Sequence, residues 1–157
     1  MNIGFYAGSF SPFTNGHLHV VKTASKLLDK VIIGIGINVN KVPRYDNTLM
    51  KQAIEKVLER EKLENVSVIV YTNLSADCAI ENNANVLIRG IRNTTDYEYE
   101  EKMALINEEI AGLDTIYIRA GKFGNVSSSL IIELLDHGKD VSKFVPKEVI
   151  ELIMKWC

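Results

Sequence analysis

The chain has 157 residues, is 46% apolar and 24% charged, and carries a formal net charge of -2 at pH 7. This length and composition are typical of one globular domain with a sizeable core, which we expect to span residues 1–157. The slight negative charge argues against a broad nucleic-acid-binding surface. Any polyphosphate must therefore be bound by lysine and arginine side chains concentrated at one place.

Signals for targeting, disulfides and metal binding are sparse. No apolar run approaches the length of a bilayer span, and the chain begins without the basic-then-apolar pattern of a signal peptide. Its two cysteines, Cys78 and Cys157, are isolated and lack the spacing of a metal site or a disulfide framework. We therefore expect a cytoplasmic protein with no membrane partner, no nucleic-acid partner and no dedicated metal site.

The first predicted unit is a strand over residues 3–6, a glycine-containing loop and a helix over residues 16–29. Gly8 allows the backbone to turn at the carboxyl end of the strand, and small loop residues leave room for a ligand to approach the main chain. A helix that begins there directs free N–H groups and its positive dipole end towards the loop. This predicts an anion site, most naturally for phosphate. His17 lies in the first helical turn beside that anion, and the Thr14 hydroxyl can lie at the same opening.

Strand and helix patterns then alternate along the rest of the chain. Nearly unbroken apolar runs indicate strands covered on both faces, and apolar residues three or four apart indicate helices. The further predicted strands cover residues 31–37, 66–71, 86–88 and 115–118, and the further helices cover 48–61, 75–82, 95–110, 130–136 and 147–156. This alternation predicts an α/β fold: a single-domain, Rossmann-like, doubly wound sheet of five mostly parallel strands with helices on both faces.

Ligands of such sheets bind at the carboxyl ends of the strands, and the loops there contain the chemically suggestive residues. Arg89 and Arg92 follow the fourth strand, where guanidinium groups suit bidentate phosphate binding, and Lys41 follows the second strand. Residues 127–129 are three serines at a helix start, where hydroxyl and N–H groups together fit a phosphate. The alternatives are solvated loop cations and simple helix capping, which needs one serine. The pattern favours phosphate binding by both arginines and the serines, and leaves Lys41 undecided.

The other two histidines have structural interpretations. His19 comes two residues after His17 and faces away from it on the helix, so we expect it at the surface. His137 lies at a helix end, where an imidazole complements the helix dipole.

The T-x-x-H pattern at Thr14 and His17 is neither the dinucleotide fingerprint nor the P-loop motif. It resembles the signature of the nucleotidylyltransferase superfamily. Longer segments resemble the bacterial phosphopantetheine adenylyltransferase family, in that family's order and over nearly the full chain. These segments are Y-A-G-S-F-S-P-F-T-N-G-H at 6–17, N-K-V-P at 40–43, V-L-I-R-G-I-R at 86–92, D-Y-E-Y-E at 96–100, V-S-S-S-L at 126–130 and F-V-P at 144–146.

The resemblance implies an enzyme that transfers AMP from ATP to 4′-phosphopantetheine and releases pyrophosphate and dephospho-coenzyme A, the penultimate step of coenzyme A synthesis. It implies Mg²⁺ carried with ATP, a homohexamer, and inhibition by coenzyme A. A phosphate monoester is already a nucleophile at neutral pH, so we expect in-line attack on the α-phosphate without a general base. Departures from the family pattern at Ser11, Ser75, Met103 and 124–125 affect the pantetheine channel and the adenine loop, not the reaction.

The resemblance also implies roles for individual residues, carried over by position. The implied catalytic residues are His17, Lys41, Arg92 and Thr14. Those implied to bind ATP are Ser9, Phe10, His17, Gly90, Ile91, Arg92, Glu100, Phe123, Gly124, Asn125, Val126, Ser127, Ser128 and Ser129. Those implied to bind the acceptor are Ser9, Lys41, Leu74, Ser75, Arg89, Met103 and Asn107.

Two other functions are open at the level of sequence. Nicotinamide mononucleotide adenylyltransferases of the superfamily typically carry an arginine shortly after the serine motif, and the run S-S-S-L-I-I-E-L has none. A nucleotide-binding sensor would bind ATP without releasing pyrophosphate. The joint presence of His17, Lys41 and Arg92 argues against that class.

Overall fold

The computed structural model describes residues 1–156, and within them all side chains except those of Thr94, Thr95, Asp96, Tyr99, Glu100 and Trp156. Strands and helices alternate as the apolar patterns predict. The strands are β1 (Ile3–Gly8), β2 (Lys30–Gly36), β3 (Val66–Tyr71), β4 (Val86–Ile91) and β5 (Asp114–Arg119). The α-helices are α1 (Asn15–Leu27), α2 (Asn47–Arg60), α3 (Ser75–Glu81), α4 (Thr94–Ala111), α5 (Ser128–Asp136) and α6 (Lys147–Ile153), with 3-10 turns at Gly121–Phe123 and Met154–Trp156.

The five strands form one sheet in the order β3-β2-β1-β4-β5, and each neighbouring pair is parallel. The chain moves outwards from β1 to β3, then returns to β4 on the other side of β1. Right-handed crossovers therefore place α1 and α2 on one face of the sheet, and α3 and α4 on the other. The predicted doubly wound fold is confirmed. Its topological switch point, where ligands of open α/β sheets bind, lies between β1 and β4.

Alternating side chains of the central strands build a core on each face of the sheet. In β1, Tyr6 packs into the larger core with α1, α2, α5 and α6, whereas Phe5 packs into the smaller core beside α3. In β2, Ile33 and Ile35 enter the larger core and Ile32 enters the smaller one. Each fully buried side chain of this size contributes about 1.5–3 kcal/mol of transfer free energy. Both faces of the central strands are thus covered, as their continuous apolar sequence predicts.

The largest differences between predicted and observed boundaries concern β4 and the last helix. Arg89 and Gly90 were expected to follow the fourth strand, but β4 continues through Ile91 because residues 89–91 pair with residues 117–119 of β5. The end of the apolar run therefore does not mark the end of the strand. At the C-terminus, the helix predicted over 147–156 is α-helical to Ile153, and its last turn tightens to a 3-10 turn. Within residues 1–156, no helix is both long and apolar enough to cross a bilayer.

Candidate active site

A pocket of about 350 Å³ opens at the switch point, where β1 and β4 end and where the first turns of α1 and α5 converge. Its walls combine backbone of the glycine-containing loop after β1, two arginines and the late serines. The lining residues are Tyr6, Ala7, Gly8, Ser9, Phe10, Thr14, Gly16, His17, Val20, Arg89, Gly90, Arg92, Ala120, Val126, Ser127, Ser128 and Ser129. The structure therefore brings together three segments that the sequence singles out, namely the loop after β1, the end of β4 and the serines at the start of α5.

His17 is held in a capping box at the start of α1. Its Nδ1 accepts a hydrogen bond from the backbone N–H of Thr14 at 2.9 Å, and its own backbone N–H donates to the Thr14 hydroxyl oxygen at 3.4 Å. A backbone N–H only donates, so Nδ1 must be unprotonated and the neutral imidazole carries its proton on Nε2. Because Nδ1 is occupied, Nε2–H is the ring donor left for a ligand in the pocket.

Aromatic side chains enclose the His17 ring. Its centroid lies 4.9 Å from that of Phe10, 5.5 Å from that of Phe13 and 6.3 Å from that of Tyr6. Phe10 reaches this position from a left-handed backbone conformation with φ of 46°, which is costly for a non-glycine residue. Burial, and secondarily the positive charge of Arg92, lower the pKa of His17 from 6.5 to about 4. The imidazole is therefore neutral at pH 7.

The start of α1 offers fewer free N–H groups than its sequence predicts. The N–H of Asn15 donates to the carbonyl of Phe144 at 2.8 Å, and the Asn15 side chain donates to the carbonyl of Lys143 at 3.2 Å. The N–H of His17 is used by Thr14. Among the hydrogen bonds of the described residues, that leaves the N–H of Gly16 as the first-turn donor without a protein acceptor. The predicted anion site is thus reduced to one N–H plus the His17 ring.

The three serines before and in α5 have different environments. Ser127 is the N-cap, and its hydroxyl oxygen accepts from the N–H of Leu130 at 3.1 Å. The Ser128 hydroxyl donates to the carbonyl of Pro12 at 2.9 Å, which joins α5 to the loop after β1. Ser129 is exposed at the pocket. Simple capping therefore explains only the first serine, and the third has its hydroxyl available to a ligand.

The predicted cations fall into two groups. Arg89 and Arg92 both line the pocket; Arg89 Nη1 donates to the carbonyl of Ala7 at 2.9 Å, and the charge of Arg92 acts on His17. Lys41 does not line the pocket, because it lies in the exposed loop 38–44. That loop is attached to the body of the protein at its far end, where Arg44 Nη2 lies 3.0 Å from Asp136 Oδ1.

The geometry fits a phosphate-binding nucleotide site, and comparisons with known proteins decide which kind. Residues 5–134 match the cytidylyltransferase-like family model. A phosphopantetheine adenylyltransferase of Campylobacter jejuni strain RM1221 is 39% identical over 150 residues, covering 94% of both chains. One from Alkaliphilus metalliredigens is 36% identical over 157 residues, covering 99% of both.

This chain belongs to the phosphopantetheine adenylyltransferase family. It is accordingly a nucleotidyltransferase of the nucleotidylyltransferase superfamily. A crystal structure from Vibrio parahaemolyticus, described as a candidate nicotinate-nucleotide adenylyltransferase, matches with a TM-score of 0.72 and 20% sequence identity, covering 99% of this chain and 93% of that one. At that identity the likeness concerns the fold alone.

The phosphopantetheine adenylyltransferase resemblance also singles out residues that lie beside the pocket. Phe123 packs on α1, since a Cβ at Gly16 would lie 3.6 Å from the Phe123 carbonyl oxygen. Gly124 lies near Arg92, since a Cβ at Gly124 would lie 3.9 Å from the Arg92 carbonyl oxygen. Ile91 ends β4, and Asn125 is exposed. The Glu100 side chain lies outside the described residues. Ile91, Phe123, Gly124 and Asn125 are thus adjacent to lining residues but do not line the pocket themselves.

Four of the seven residues predicted for the acceptor lie at the start of α3 or on α4, and these helices contact each other on the opposite face of the sheet from α1. Leu74 precedes α3 and is 66% exposed, whereas Ser75 is half-buried and bonded to Tyr71. Met103 and Asn107 are half-buried and four residues apart on α4, so they share one face of that helix. Apart from Lys41, the residues predicted for the acceptor thus extend from Ser9 and Arg89 in the pocket to a surface between two helices.

Sequence reasoning missed the residues that support the site from behind. Tyr6 and Phe13 enclose His17, and Asn15 fastens α1 to residues 143–144. His19 is less exposed than predicted: it is half-buried, and a Cβ at Gly121 would lie 3.0 Å from its Nε2. His19 supports the 3-10 turn because α1 crosses close to it. The aromatic residues close to T-N-G-H in the sequence could have indicated that the His17 ring is enclosed.

No protein metal centre is evident in the part of the chain that the structure describes, where no group of three or more His, Cys, Asp or Glu side chains could hold an ion. The pocket's polar groups are donors and cations instead: a ring N–H, a backbone N–H, hydroxyls and two guanidinium groups. Such a set fits the oxygens of a polyphosphate.

Proposed function

We propose that the protein transfers AMP from ATP to 4′-phosphopantetheine and forms dephospho-coenzyme A and pyrophosphate. The observation that carries this proposal is the placement of His17, Arg89, Arg92 and Ser129 around one pocket at the switch point of the sheet. The names of relatives that cover almost the whole chain support the choice of acceptor.

The proposed step is an in-line displacement at the α-phosphorus of ATP. A phosphate oxygen of the acceptor forms the new P–O bond, the bond to the β-phosphate breaks, and pyrophosphate leaves. The attacking phosphate monoester is already anionic at neutral pH, so no side chain has to remove a proton. Catalysis then rests on alignment of the substrates and on stabilisation of charge that spreads over the phosphate oxygens.

His17 is proposed to act as a neutral hydrogen-bond donor. With Nδ1 bonded to Thr14, Nε2–H can donate to an oxygen of the α-phosphate, and this bond strengthens as negative charge develops there. Thr14 supports the ring rather than touching the phosphate, since its hydroxyl is buried and used in the capping box. Arg92 and the start of α5 would bind the remaining phosphate charge.

The nucleotide and acceptor are proposed to approach from different sides of the pocket. ATP would contact Phe10, the end of β4 and residues 123–129, with Glu100 assigned by resemblance. The acceptor phosphate would lie near Ser9 and Arg89. Its arm would extend towards Leu74, Ser75, Met103 and Asn107. Lys41 would reach that phosphate from the exposed loop 38–44, through movement of this loop towards the pocket when substrates bind.

Four further properties are proposed from the family resemblance: Mg²⁺ enters as part of the ATP substrate, coenzyme A inhibits the enzyme, the protein is cytoplasmic, and it forms a homohexamer. Exposed apolar side chains on α4, namely Leu105, Ile106 and Ile110, fit a helix that packs against another subunit. Light scattering after gel filtration would measure the subunit number directly.

The reaction is tested by incubating the purified protein with MgATP and 4′-phosphopantetheine and following pyrophosphate release. Nicotinamide mononucleotide serves as the parallel acceptor. Release with phosphopantetheine alone is the expected result. Release with the mononucleotide alone would overturn the acceptor assignment and keep the ATP site. ATP binding without release in either reaction would favour a nucleotide sensor.

A further inference from the structure

Tyr71, the last residue of β3, lies across the carboxyl ends of the neighbouring strands. Two glycines of β2 leave space for it: a Cβ at Gly34 would lie 3.0 Å from the Tyr71 ring, and a Cβ at Gly36 would lie 3.0 Å from its hydroxyl oxygen. The ring also meets Phe5 edge-on, with centroids 5.6 Å apart. Although β3 is the outermost strand of the sheet, these contacts fix the Tyr71 hydroxyl at the carboxyl end of β2.

The Tyr71 hydroxyl is bonded to the first residue of α3. Tyr71 Oη lies 2.7 Å from Ser75 Oγ, a good hydroxyl–hydroxyl distance. The N-cap residue of α3, Leu74, makes no side-chain capping bond. Residues 72–74 between the two hydroxyls are exposed. The Tyr71–Ser75 bond is thus a direct side-chain link that closes this short connection and fixes its shape.

The register of the sheet places Arg89 beside this ring, because the Tyr71 ring lies over Gly34 and Gly34 pairs with Ala7 of β1. Burial raises the pKa of Tyr71, and the hydrogen bond with Ser75 and the positive charge of Arg89 both oppose that rise. Arg89 is itself held by the carbonyl of Ala7 at 2.9 Å. Ser75, Tyr71 and Arg89 therefore form a row of polar groups that runs from the start of α3 to the pocket.

We infer that Tyr71 is a positioning and specificity-determining residue for the acceptor, and that it aligns the 72–75 segment with Arg89. This inference rests on the proposed function. The row fits an acceptor that has a phosphate at one end, beside Arg89, and a polar, amide-containing arm at the other. Each hydroxyl has two lone pairs and one proton, so the Tyr71–Ser75 bond leaves capacity to pair with an amide group.

The experiment compares steady-state pyrophosphate release by the wild type, Tyr71→Phe, Ser75→Ala and the double variant, varying 4′-phosphopantetheine and MgATP separately. Either single substitution removes the hydroxyl pair and should raise KM for phosphopantetheine about fivefold to tenfold, with kcat and KM for ATP within about twofold of wild type. The double variant should be no worse than the singles, because they remove the same bond. Tyr117→Phe is the matched control, since Tyr117 also donates to a side chain, Glu101, at 2.8 Å.

The outcomes separate this inference from the proposed function. If the wild type uses phosphopantetheine but both single variants keep the wild-type KM for it, the inference alone is overturned. It is also overturned if Tyr117→Phe raises that KM equally, or if KM for ATP rises in parallel, because both results indicate a general structural effect. If Tyr71→Phe fails to fold, the KM of Ser75→Ala for phosphopantetheine tests the inference by itself. A wild type that releases no pyrophosphate overturns the proposed function and this inference together.

Discussion

The backbone N–H of Thr14 donates to Nδ1 of His17, and this one bond determines which ring nitrogen can serve the pocket. Since Nδ1 is an acceptor, Nε2 carries the proton. Since the ring is enclosed and lies near a guanidinium, it stays neutral at pH 7. At the proposed ATP site, a neutral donor would add no full positive charge beside Arg92, and its hydrogen bond would strengthen as charge develops on the phosphate.

Replacement of His17 should therefore impair turnover far more than nucleotide binding. We expect His17→Ala to lower kcat by about 10²–10³-fold, the range for loss of one transition-state donor, while KM for ATP changes less than about threefold. His137→Ala, at an exposed position remote from the pocket lining, is the control and should be unchanged. A loss of ATP affinity with kcat intact would contradict the assigned role.

The lowered pKa of His17 predicts a pH-dependent stability. Between pH 6.5 and about 4 the unfolded chain binds a proton at this histidine and the folded protein does not, so the free energy of unfolding falls as the pH falls through that window. Above pH 6.5 both states are neutral and the effect vanishes. From this residue alone we expect a loss of about 2 kcal/mol between pH 7.5 and pH 5.

Urea denaturation of the wild type and His17→Asn at the two pH values would measure that loss, because other titrating groups contribute equally to both proteins. The wild type should lose about 2 kcal/mol more than the variant. Equal pH dependence of the two proteins would show that the folded imidazole titrates normally.

Local features of this site could be predicted from sequence. Gly8, the apolar run before it and the capping pattern of Thr14 and His17 act within a few residues, so they predict a strand, a loop and a helix start in the right order. The loops that carry Arg92 and lead into the serines of α5 follow from the alternation of strands and helices. Parallel strands place those loops at one edge of the sheet, whatever the details of packing.

The features that could not be predicted depend on contacts between residues that are far apart in the sequence. Asn15 uses its N–H groups on a segment about 128 residues away, and Ser128 bonds to Pro12 across 116 residues. Such bonds decide which donors remain free, and no local pattern encodes them. The extension of β4 through Arg89 and Gly90 likewise depends on pairing with β5, not on their own β propensity.

Neighbouring serines should respond differently to the same substitution. Ser127→Ala removes the N-cap of α5 and should lower the free energy of unfolding by about 1 kcal/mol. Ser129→Ala removes a hydroxyl that is exposed at the pocket, so it should leave stability unchanged and lower kcat/KM for ATP about tenfold. Urea denaturation and steady-state kinetics of both variants test the pair. Loss of activity without loss of stability in Ser127→Ala would reverse the two assignments.

Lys41 provides a test of the exposed loop. If loop 38–44 brings the ammonium group to the acceptor phosphate, Lys41→Ala should raise KM for phosphopantetheine and lower kcat, each about tenfold or more, with stability unchanged. Lys26→Ala, in the last turn of α1, is the matched control. If Lys41→Ala has wild-type kinetics, Lys41 takes no part in acceptor binding or in the transfer.

The space beside Gly34 links the core to the acceptor side of the site. A Cβ at Gly34 would overlap Phe5 Cζ and lie 3.0 Å from the Tyr71 ring, and Phe5 is fully buried, so its ring cannot move freely. Gly34→Ala should therefore lower the free energy of unfolding by about 1–3 kcal/mol. By displacing Tyr71 it should also raise KM for phosphopantetheine more than KM for ATP.

A second substitution separates steric overlap from backbone effects at Gly34. Phe5→Leu removes the overlapping ring atoms, so the double variant Gly34→Ala/Phe5→Leu should lose less stability than the sum of the two singles. Gly112→Ala is the comparison: Gly112 has a φ of 66° with no atom within 4 Å of a new Cβ, so its cost of about 1 kcal/mol comes from the backbone and should not depend on Phe5. If the losses in free energy of unfolding of Gly34→Ala and Phe5→Leu are strictly additive in urea denaturation, the overlap at Gly34 is relieved by movement of other atoms. Tyr71 would then be expected to keep its position.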